Sequence, residues 1–317
     1  MSDLHEAALW FDTHTYRVDR FDRATLVAAK RGTRASVLIP ARDEAATVGA
    51  IVTTLRTELM EQVQLVDEII VIDSHSTDGT ADIARAAGAT VFHVDEIVPQ
   101  AGTRTGKGEA LWKSLAVMSG DIGIYLDADV EDFTADFVVG LLGPLLMEDG
   151  LVFVKAFYDR PWSSGPARSS GGGRVTELVA RPLILERVPL LSGFVQPLAG
   201  ECAFRLDAVI DIPYVSDYGV DIGLMIDVVR RHGLGAMAQV DLGLRRHRHQ
   251  DLAALSAMTQ HVQAAFDLRA EPGLDQEVES TAVVFHRDEG ERMQMAERTI
   301  TTIVRPPMRD VLTLLAP

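Results

Sequence analysis

The sequence predicts an α/β fold with a mostly parallel central sheet flanked by helices. Two observations, both beginning at residue 35, lead to this prediction. Short apolar runs rich in β-branched residues, each bounded by turn residues, occupy 36–39, 68–72, 90–94 and 122–126. Apolar residues recur between them at three- and four-residue spacings, as in helices packed on a sheet, over 44–61, 80–87 and 107–118. Strands that alternate with helices in this way require parallel crossover connections.

Further elements are predicted on both sides of this region. Residues 1–34 are mixed in composition and predict an arm or short helices before the sheet. Strands are predicted over 151–158 and 236–244, and helices over 175–187, 219–231 and 251–270. A long loop rich in glycine and serine precedes the first of these helices. The last stretch, 271–317, is predicted to be a polar tail with apolar patches.

The composition is that of an ordinary globular protein, with 317 residues, 47% hydrophobic and 24% charged. This length suits about two structural units, or one α/β domain with appendages. Thirty Lys and Arg against 46 Asp and Glu give a net charge of -16. Such a balance argues against a surface that binds nucleic acid or an anionic membrane, but it allows a local basic pocket.

Cys202 is the single cysteine of the chain, so no intrachain disulfide can form. Lone cysteines are more often buried small hydrophobes than nucleophiles. The first twenty residues lack the layout of a signal peptide, and no stretch of about 18 apolar residues occurs. We therefore expect a cytoplasmic protein that binds neither a membrane nor nucleic acid.

The strongest local signal is an apolar strand that leads directly into Asp127 and Asp129. Ligands of parallel α/β sheets bind beyond the carboxyl ends of the strands. Strand alternation would put both carboxylates on one face, where they can hold a divalent cation such as Mg²⁺ or Mn²⁺ and, through it, a diphosphate. The competing interpretation is a solvated turn or a helix cap.

Two other strand ends carry groups suited to a nucleotide. Pro40 and Ala41 precede an acidic pair that includes Glu44, and Ser74 follows Asp73. Hydroxyls, carboxylates and a free helix N-terminus suit ribose hydroxyls, base edges and phosphates. Either group taken alone could instead cap its own helix.

Lys107 lies between two glycines at a predicted helix start. The glycines would let backbone amides approach an anion to which Lys107 supplies charge. The spacing G-x-x-x-x-G-K-[ST] is absent, which disfavours a P-loop NTPase. No G-x-G-x-x-G follows the first strand, which disfavours an NAD-dependent dehydrogenase.

These motifs, taken in order, resemble those of nucleotide-sugar-dependent glycosyltransferases with the GT-A fold. Over about residues 35–268 the chain is similar to the retaining glucosyl-3-phosphoglycerate synthases of actinobacteria and to their mannosyl-3-phosphoglycerate synthase relatives. The segments that carry the likeness are GKGEALWKSL, GGGRVTELVARPL, QPLAGE, YGVDIGLMID, LGLRRHRH and RPPM. The resemblance implies a Rossmann-like nucleotide-diphospho-sugar transferase that moves glucose from UDP-glucose to 3-phosphoglycerate.

The resemblance also implies which residues bind the donor. These are Pro40, Ala41, Glu44, Ser74, Lys107, Asp127, Asp129 and Asp221. The first four would hold the nucleoside and Lys107 would contact the nucleotide. Asp221 stands where the mycobacterial pattern has Glu, and it would reach hydroxyls of the donor sugar. The catalytic residues implied are Lys107, Asp129 and Asp221.

The metal ligands implied by the resemblance are Asp129 and His247, with Mg²⁺ as the metal and Mn²⁺ as an alternative. A neutral imidazole suits such a site beside carboxylate and phosphate oxygens. His249 falls where the mycobacterial pattern has Asn. From the residues alone, both histidines are also compatible with a solvated basic face.

The acceptor site is expected near the glycine-rich loop. Residues 151–200 hold one Lys and five Arg against one Asp and two Glu, which is locally basic in an acidic chain. Gly173, Arg174, Val175 and Thr176 put amides, a guanidinium and a hydroxyl at a predicted helix start, which suits a phosphate. A flexible linker is the competing interpretation of the glycines.

We expect four parts along the chain. Residues 1–34 form an N-terminal arm, 35–130 a nucleotide-sugar-binding half, and 131–250 the acceptor-binding half of the same domain. The last part, 251–317, is a C-terminal helix and tail whose apolar patches are a candidate contact of a homodimer, although docking within one chain explains them equally well.

Three alternatives stay open. A mannosyl-3-phosphoglycerate synthase that uses GDP-mannose, or an enzyme that accepts both donors, would share the same motifs. A non-catalytic sugar-nucleotide sensor would keep the nucleoside residues and could lose the metal set, so the intact Asp127, Asp129 and His247 disfavour it. A nucleotidyltransferase is disfavoured because its usual glycine-rich first turn is missing.

Overall fold

The computed structural model describes residues 2–159, 172–245, 252–270, 277–287 and 290–315. Its α-helices are α1 (Asp3–His14), α2 (Arg23–Lys30), α3 (Val48–Leu55), α4 (Thr80–Ala87), α5 (Lys107–Ser114), α6 (Asp136–Met147), α7 (Arg181–Arg187), α8 (Leu206–Val209), α9 (Val220–His232), α10 (Leu252–Ala270) and α11 (Met308–Leu315). Within these ranges, none of the helices is both long and apolar enough to span a membrane. Most of the predicted glycine- and serine-rich loop lies outside the described residues.

Strands form one large sheet and one small sheet. They are β1 (Thr15–Arg17), β2 (Ala35–Ala41), β3 (Glu68–Asp73), β4 (Thr90–His93), β5 (Ile122–Tyr125), β6 (Phe153–Asp159), β7 (Cys202–Arg205), β8 (Tyr214–Val215), β9 (Met237–Leu244), β10 (Glu277–Arg287) and β11 (Met293–Arg305). The large sheet has the order β1-β9-β6-β7-β5-β2-β3-β4. Only β7 runs antiparallel to its neighbours in this described sheet, so the predicted mostly parallel sheet is confirmed.

Helices cover both faces of the large sheet. Successive residues of β2 point to opposite faces, so Leu38 enters one hydrophobic core while Val37 and Ile39 enter another. The core around Leu38 includes Trp112 of α5 and side chains of α9, and the second core includes side chains of α3 and α6. Because both faces are occupied by packing, the carboxyl edge of the sheet is where ligands can bind.

The strands predicted over the six apolar runs coincide with β2 to β6 and β9 to within two residues at each end. The helix predicted over 44–61 begins only at Val48, because the preceding residues form a turn that bonds to Thr80 at the start of α4. It then widens into a π-helical turn over Arg56–Gln62. The helix predicted over 175–187 is likewise a π-helical turn, Thr176–Ala180, followed by α7.

The N-terminal arm is part of the large sheet. β1 adds an edge strand beside β9, which the sequence did not predict because the strand has three residues and one buried side chain. Trp10 of α1 donates its indole N–H to the carbonyl of Met237 at 2.9 Å and packs on Phe194. These contacts fix α1 against the main core.

The C-terminal region is a β-hairpin and a helix, whereas the sequence predicted only a polar tail. β10 and β11 pair over their whole length, and the last residues of β11 pair with β8. Arg305, at the end of β11, donates from Nε and Nη2 to the buried carboxylate of Glu109, each at 2.6 Å. Its guanidinium lies 4.8 Å from the ring of Trp112, whose indole N–H bonds to the carbonyl of Pro306. Since Glu109 and Trp112 belong to α5, the end of β11 holds that helix in place.

Candidate active site

A cleft of about 1190 Å³ opens at the carboxyl ends of β2, β3 and β5. Its volume is slightly above the roughly 300–1,000 Å³ that is usual for pockets that bind small molecules. All donor and acceptor residues predicted in the described ranges line it: Pro40, Ala41, Glu44, Ser74, Lys107, Asp127, Asp129, Gly173, Arg174, Val175, Thr176 and Asp221. The fold thus brings two sets together that are far apart in sequence.

The turns that follow β2 and β3 are bonded to each other and form one wall of the cleft. The amide of Glu44 donates to the hydroxyl of Thr80 at 2.8 Å, and the amide of Ser74 donates to the carbonyl of Ala41 at 2.9 Å. The Thr80 hydroxyl therefore bonds to the turn that follows β2, in addition to any role at the start of α4. We call the residues that line the cleft here, Pro40, Ala41, Glu44 and Ser74, the nucleotide wall.

Asp127 and Asp129 lie in a turn just after β5, beyond the strand itself. Their carboxylates converge nevertheless, since both accept from Nη2 of Arg245, at 3.2 and 3.1 Å. Arg245 follows β9 and is 3% exposed. Its Nη1 lies 2.5 Å from the buried Glu201 and donates to the hydroxyl of Tyr158, whose ring stacks under the guanidinium. The aspartate pair therefore already surrounds one cation.

Lys107 and Asp221 extend this set of charges into the core. Lys107 Nζ lies 2.8 Å from Asp127 Oδ1 and 3.4 Å from Asp221 Oδ2. Lys155 Nζ, from β6, lies 3.3 Å from the other oxygen of Asp221. We call these contacting side chains the charge network; its members are Lys107, Asp127, Asp129, Lys155, Glu201, Asp221 and Arg245.

The electrostatics of the charge network oppose burial. Burial alone would raise the pKa of Asp127, but Lys107 and Arg245 outweigh it and hold that pKa below its usual range. Burial alone would lower the pKa of Lys107, but Asp127 and Asp221 hold it well above the usual value, so the ammonium stays charged. The pKa of Asp129 is raised, first by burial and then by Asp127. A further cation beside Asp129 would oppose that rise.

The glycines on either side of Lys107 are also required by packing within the protein. A Cβ at Gly106, where φ is +105°, would lie 1.9 Å from Oδ1 of Asp217, and one at Gly108 would lie 2.1 Å from the carbonyl oxygen of Val215. They admit the segment between β8 and α9, which packs directly on the start of α5. Close packing of these two segments therefore requires glycine at both positions, and the approach of their amides to an anion stays a prediction.

The 173–176 turn forms the opposite wall of the cleft. Thr176 is buried and starts the π-helical turn, while Arg174 is exposed at the cleft. The carboxylate of Glu177 accepts from the amide of Gly172 at 2.7 Å. The amide of Gly172, directly before the 173–176 turn, is therefore bonded within the protein.

Comparisons with known proteins agree with this arrangement. The family described as Glycosyl transferase family 2 matches residues 36–170. A glucosyl-3-phosphoglycerate synthase of Mycolicibacterium paratuberculosis is 41% identical over 98% of this chain and 94% of that protein. The chain belongs to the glucosyl-3-phosphoglycerate synthase family. The family membership expected from the sequence is confirmed.

Solved structures of this family and its relatives share the fold. The crystal structure of mannosyl-3-phosphoglycerate synthase from Rubrobacter xylanophilus matches with a TM-score of 0.87 and 40% identity, over 96% of this chain and 98% of that one. Glucosyl-3-phosphoglycerate synthase from Mycobacterium tuberculosis, in complex with Mn²⁺, UDP-Glc and phosphoglyceric acid, matches with a TM-score of 0.76 and 39% identity, over 92% and 95%. Another structure of that enzyme contains Mg²⁺ and UDP. The expected GT-A fold is confirmed.

Three members of the charge network were not predicted from the sequence: Lys155, Glu201 and Arg245. A lysine inside the apolar run 151–158 is itself a signal, because buried lysines are rare unless they are paired. Arg245 belongs to the basic run at 245–248, in which the sequence directs attention to the histidines. Glu201 has no such signal, since its contact with Arg245 depends on the order of the strands.

Only some of the residues predicted to bind the metal lie within the described ranges. His247 and His249 lie outside the described residues, and the rest includes no group of three or more His, Cys, Asp or Glu side chains placed to hold a metal. Asp127 and Asp129 nevertheless fit Mg²⁺ or Mn²⁺, because hard cations of this kind prefer carboxylate oxygens and these two already converge on the Arg245 guanidinium.

Proposed function

We propose that the protein transfers glucose from UDP-glucose to the 2-hydroxyl group of 3-phosphoglycerate, with retention of configuration, to give glucosyl-3-phosphoglycerate. The observation that carries the proposal is that the nucleotide wall, the charge network and the 173–176 turn face one cleft. The related M. tuberculosis enzyme holds UDP-Glc and phosphoglyceric acid together. We assign residues 35–130 to the nucleotide-sugar half and 131–250 to the acceptor half of one domain.

The nucleotide wall holds the nucleoside, and Lys107 contacts the diphosphate. An ammonium has three N–H donors. In the described structure Asp127 and Asp221 fix the position of the Lys107 ammonium, which leaves a donor to reach a phosphate oxygen. Lys107 therefore supplies both charge and orientation to the donor.

Mg²⁺ or Mn²⁺ would be held by Asp129, assisted by Asp127 and His247. When bound, the ion supplies positive charge that stabilises the departing UDP. The charge network has three basic and four acidic members among the described residues, so it retains one negative charge for such an ion. Metal-bound structures of the M. tuberculosis enzyme support this assignment.

The acceptor carries a phosphate and a carboxylate, and both need positive or N–H groups. Arg174 presents an exposed guanidinium at the cleft, and Thr176 adds a hydroxyl beside the amides of Gly173 and Val175. Arg174 and the start of the helical turn thus form the proposed acceptor site.

Retention is proposed to occur by attack on the face from which UDP departs. The 2-hydroxyl oxygen bonds to the anomeric carbon, the bond from that carbon to the phosphate oxygen breaks, and the hydroxyl proton passes to that phosphate oxygen. The alternative, a covalent intermediate on Asp221, is disfavoured because each oxygen of Asp221 faces a lysine ammonium, Lys107 at 3.4 Å and Lys155 at 3.3 Å. Those contacts stabilise the carboxylate and lower its nucleophilicity, although each oxygen keeps a second lone pair.

The test is a matrix of donors, acceptors and metals with the purified protein. UDP-glucose, 3-phosphoglycerate and Mg²⁺ together should release UDP, and omission of the acceptor or addition of EDTA should stop it. Failure to release a nucleoside diphosphate from any sugar nucleotide would contradict the proposal. Release of pyrophosphate instead would identify a nucleotidyltransferase.

Asp129→Asn should lower kcat by about 100- to 1,000-fold, because a ligand of the metal that stabilises the leaving group is lost. Its melting temperature should stay close to that of the wild type, since Asp129 is not a core residue. Asp132→Asn, an exposed neighbour in the same turn, is the matched control and should keep full activity. Full activity of Asp129→Asn would remove Asp129 from the metal site.

GDP-mannose is the second candidate donor. The mannosyl-3-phosphoglycerate synthase structure matches this chain with a TM-score of 0.87, against 0.76 for the complex with UDP-Glc. Glucose and mannose differ only at C2, so the same cleft can hold either. The ratio of kcat/KM for the two donors decides between them.

We also propose that the protein is a homodimer that uses the β10–β11 hairpin. Phe285 and Met295 lie directly opposite each other and are each 64% exposed, and Val283 and Met293 add two further exposed apolar side chains to the same face. A two-stranded ribbon with an uncovered apolar face is marginal in water, so a second copy is the occupant we expect.

The cytoplasm is the compartment that we propose. Cys202, the only cysteine, is buried, and burial raises the pKa of its thiol to about 12. The fold therefore uses no disulfide and suits a reducing compartment. Fractionation of the native cells is the measurement.

A further inference from the structure

Asp217 is a carboxylate of the cleft that has no part in the charge network. It stands four residues before Asp221, just ahead of α9, and it lines the same cleft. Its φ is +54°, in the left-handed region that is strained for a residue with a side chain. Strain of this kind persists where the surroundings impose it, and it clusters at ligand-binding sites.

The carboxylate of Asp217 packs on the backbone beside Lys107. A Cβ on Gly106 would lie 1.9 Å from Oδ1 of Asp217, so only glycine leaves room for this carboxylate. The hexose of a sugar nucleotide is bonded directly to the diphosphate that Lys107 is proposed to contact. Asp217 therefore stands beside the position proposed for the diphosphate, within reach of the groups bonded to it, the hexose among them.

The carboxylate of Asp217 has no hydrogen bond or ion pair with the described part of the chain, and only its backbone carbonyl accepts, from the amide of Val220. Neither the 3₁₀ turn that begins at 217 nor α9 receives a side-chain cap, so a capping role does not account for it. Burial, and then repulsion from Glu109, raises the pKa of Asp217 to about 6. Asp217 is half-buried, so its ionised carboxylate is partly desolvated without a partner, and a ligand that donates hydrogen bonds would offset that cost.

Charge decides which ligand suits this carboxylate. The diphosphate and 3-phosphoglycerate are anions, which Asp217 repels. The hexose is a neutral polyol, and its hydroxyls donate strong hydrogen bonds to a carboxylate. We propose that Asp217 binds a hydroxyl group of the transferred hexose and acts beside Asp221 in selecting the donor. The inference rests on the proposed function, because it takes a sugar nucleotide as the ligand of this cleft.

The test compares a ligand that has the hexose with one that lacks it. Isothermal titration calorimetry with Mg²⁺ and without acceptor measures the Kd of UDP-glucose and of UDP for the wild type, Asp217→Gly and Asp217→Asn. Asp217→Gly should weaken UDP-glucose by about 10- to 100-fold and leave UDP within about two-fold, since a hydrogen bond to a charged group is lost. Asp217→Asn keeps an oxygen acceptor and should fall between. Glu291→Gly is the matched control, because it also replaces an acidic residue with positive φ but lies outside the cleft.

Unchanged affinity for UDP-glucose, or equal weakening of UDP-glucose and UDP, overturns the proposal for Asp217. The assay is independent of turnover, so a wild type that binds UDP-glucose but transfers it to another acceptor contradicts the proposed function alone. For a wild type that prefers GDP-mannose, the same comparison with GDP-mannose and GDP applies, and a loss confined to GDP-mannose supports the role. A wild type that binds neither sugar nucleotide overturns both proposals.

Discussion

Lys155 is 1% exposed in the middle of β6, at a position that apolar side chains normally fill. Its ammonium faces one oxygen of Asp221, and Lys107 faces the other. From Lys155 through Asp221, Lys107 and Asp127, basic and acidic groups alternate, so each charge is stabilised by its neighbours. Because Lys155 is separated from the cleft by Asp221, we expect it to position that carboxylate without touching substrate.

Lys155→Met should lower kcat by about 10-fold and leave the Kd of UDP unchanged, because Asp221 loses the contact that orients it. Its free energy of unfolding should fall, but by less than the about 3–5 kcal/mol that removing one partner of a buried ion pair usually costs, because Lys107 still faces Asp221. The effect should vanish in an Asp221→Asn background, which a double-mutant cycle measures. Additive effects on kcat would show that Lys155 does not act through Asp221.

The raised pKa of Asp217 predicts how the stability of the protein depends on pH. Its pKa rises from 3.8 to about 6 in the folded protein, so its contribution is most favourable below pH 4 and is lost as the pH rises through 6. A rise of that size corresponds to about 3 kcal/mol, and we expect about half of it because the side chain is partly exposed. Asp217→Asn should therefore unfold in urea like the wild type near pH 4 and gain about 1–2 kcal/mol by pH 7. A pH-independent difference would contradict this assignment.

At the scale of elements, α5 depends on a strand that comes much later in the chain. Lys107 begins α5, and two turns of the helix carry the groups that Arg305 holds: the Glu109 carboxylate and the Trp112 ring. Glu109 is wholly buried, with Lys113 Nζ as a more distant partner at 3.7 Å. The bidentate contact with Arg305 is thus what compensates the desolvation of Glu109.

Arg305→Ala should lower the free energy of unfolding by about 3–5 kcal/mol, since the buried Glu109 would lose its main partner. The double variant Glu109→Met and Arg305→Met should recover most of that loss, because no charge is left buried. Arg309→Ala is the control: its ion pair with Asp211 is exposed, and its loss should cost less than about 1 kcal/mol. Urea unfolding of the four proteins measures these free energies. Equal losses of stability for Arg305→Ala and Arg309→Ala would contradict the proposed role of Arg305 in holding α5.

The sequence allowed prediction of those elements whose side chains repeat with a clear period. β2, β3 and β5 are buried on both faces and therefore appear as continuous apolar runs. β7 was not predicted because its four residues include no β-branched side chain and end in Arg205, and β10 because its apolar residues form one short run, 282–285, without alternation. The partners of β7 are distant in the chain, and a local pattern does not record such contacts.

Site residues, too, could be predicted only where the local sequence marks them. Asp127 and Asp129 follow a strand of a parallel sheet, and Lys107 stands between two glycines at a helix start. Arg245 and Glu201 could not be predicted, because they reach the site only through the position of β7 beside β5 and of β9 beside β6. The strand order, rather than the residue pattern, places them next to the aspartates.

Over the whole molecule, charge is divided between the cleft and the rest of the surface. Among the described residues, the cleft lining has six Lys or Arg and six Asp or Glu. The net charge of -16 therefore lies outside it. A neutral cleft in an acidic protein is compatible with small phosphorylated substrates and unfavourable for extended polyanions.

The exposed apolar face of the β10–β11 hairpin predicts the oligomeric state of the protein in solution. The wild type should sediment as a dimer, and Phe285→Glu together with Met295→Glu should give monomers, because two charges would replace apolar contacts at its centre. Leu314→Glu, at an 84% exposed position of α11, should leave the dimer intact. Analytical ultracentrifugation measures the mass, and a monomeric wild type would contradict the proposed interface.

The contacts of Arg305 with α5 and of Trp10 with β9 have a consequence for how the protein folds during synthesis. Trp10 bonds to a residue 227 positions later, and Arg305 to one 196 positions earlier. Contacts over such separations form late, and chains that depend on them fold slowly and expose apolar surface meanwhile. While the protein is being synthesised, the start of α5 must wait for the end of β11 to leave the ribosome. Nascent chains should therefore be incompetent for catalysis until the end of β11 has emerged.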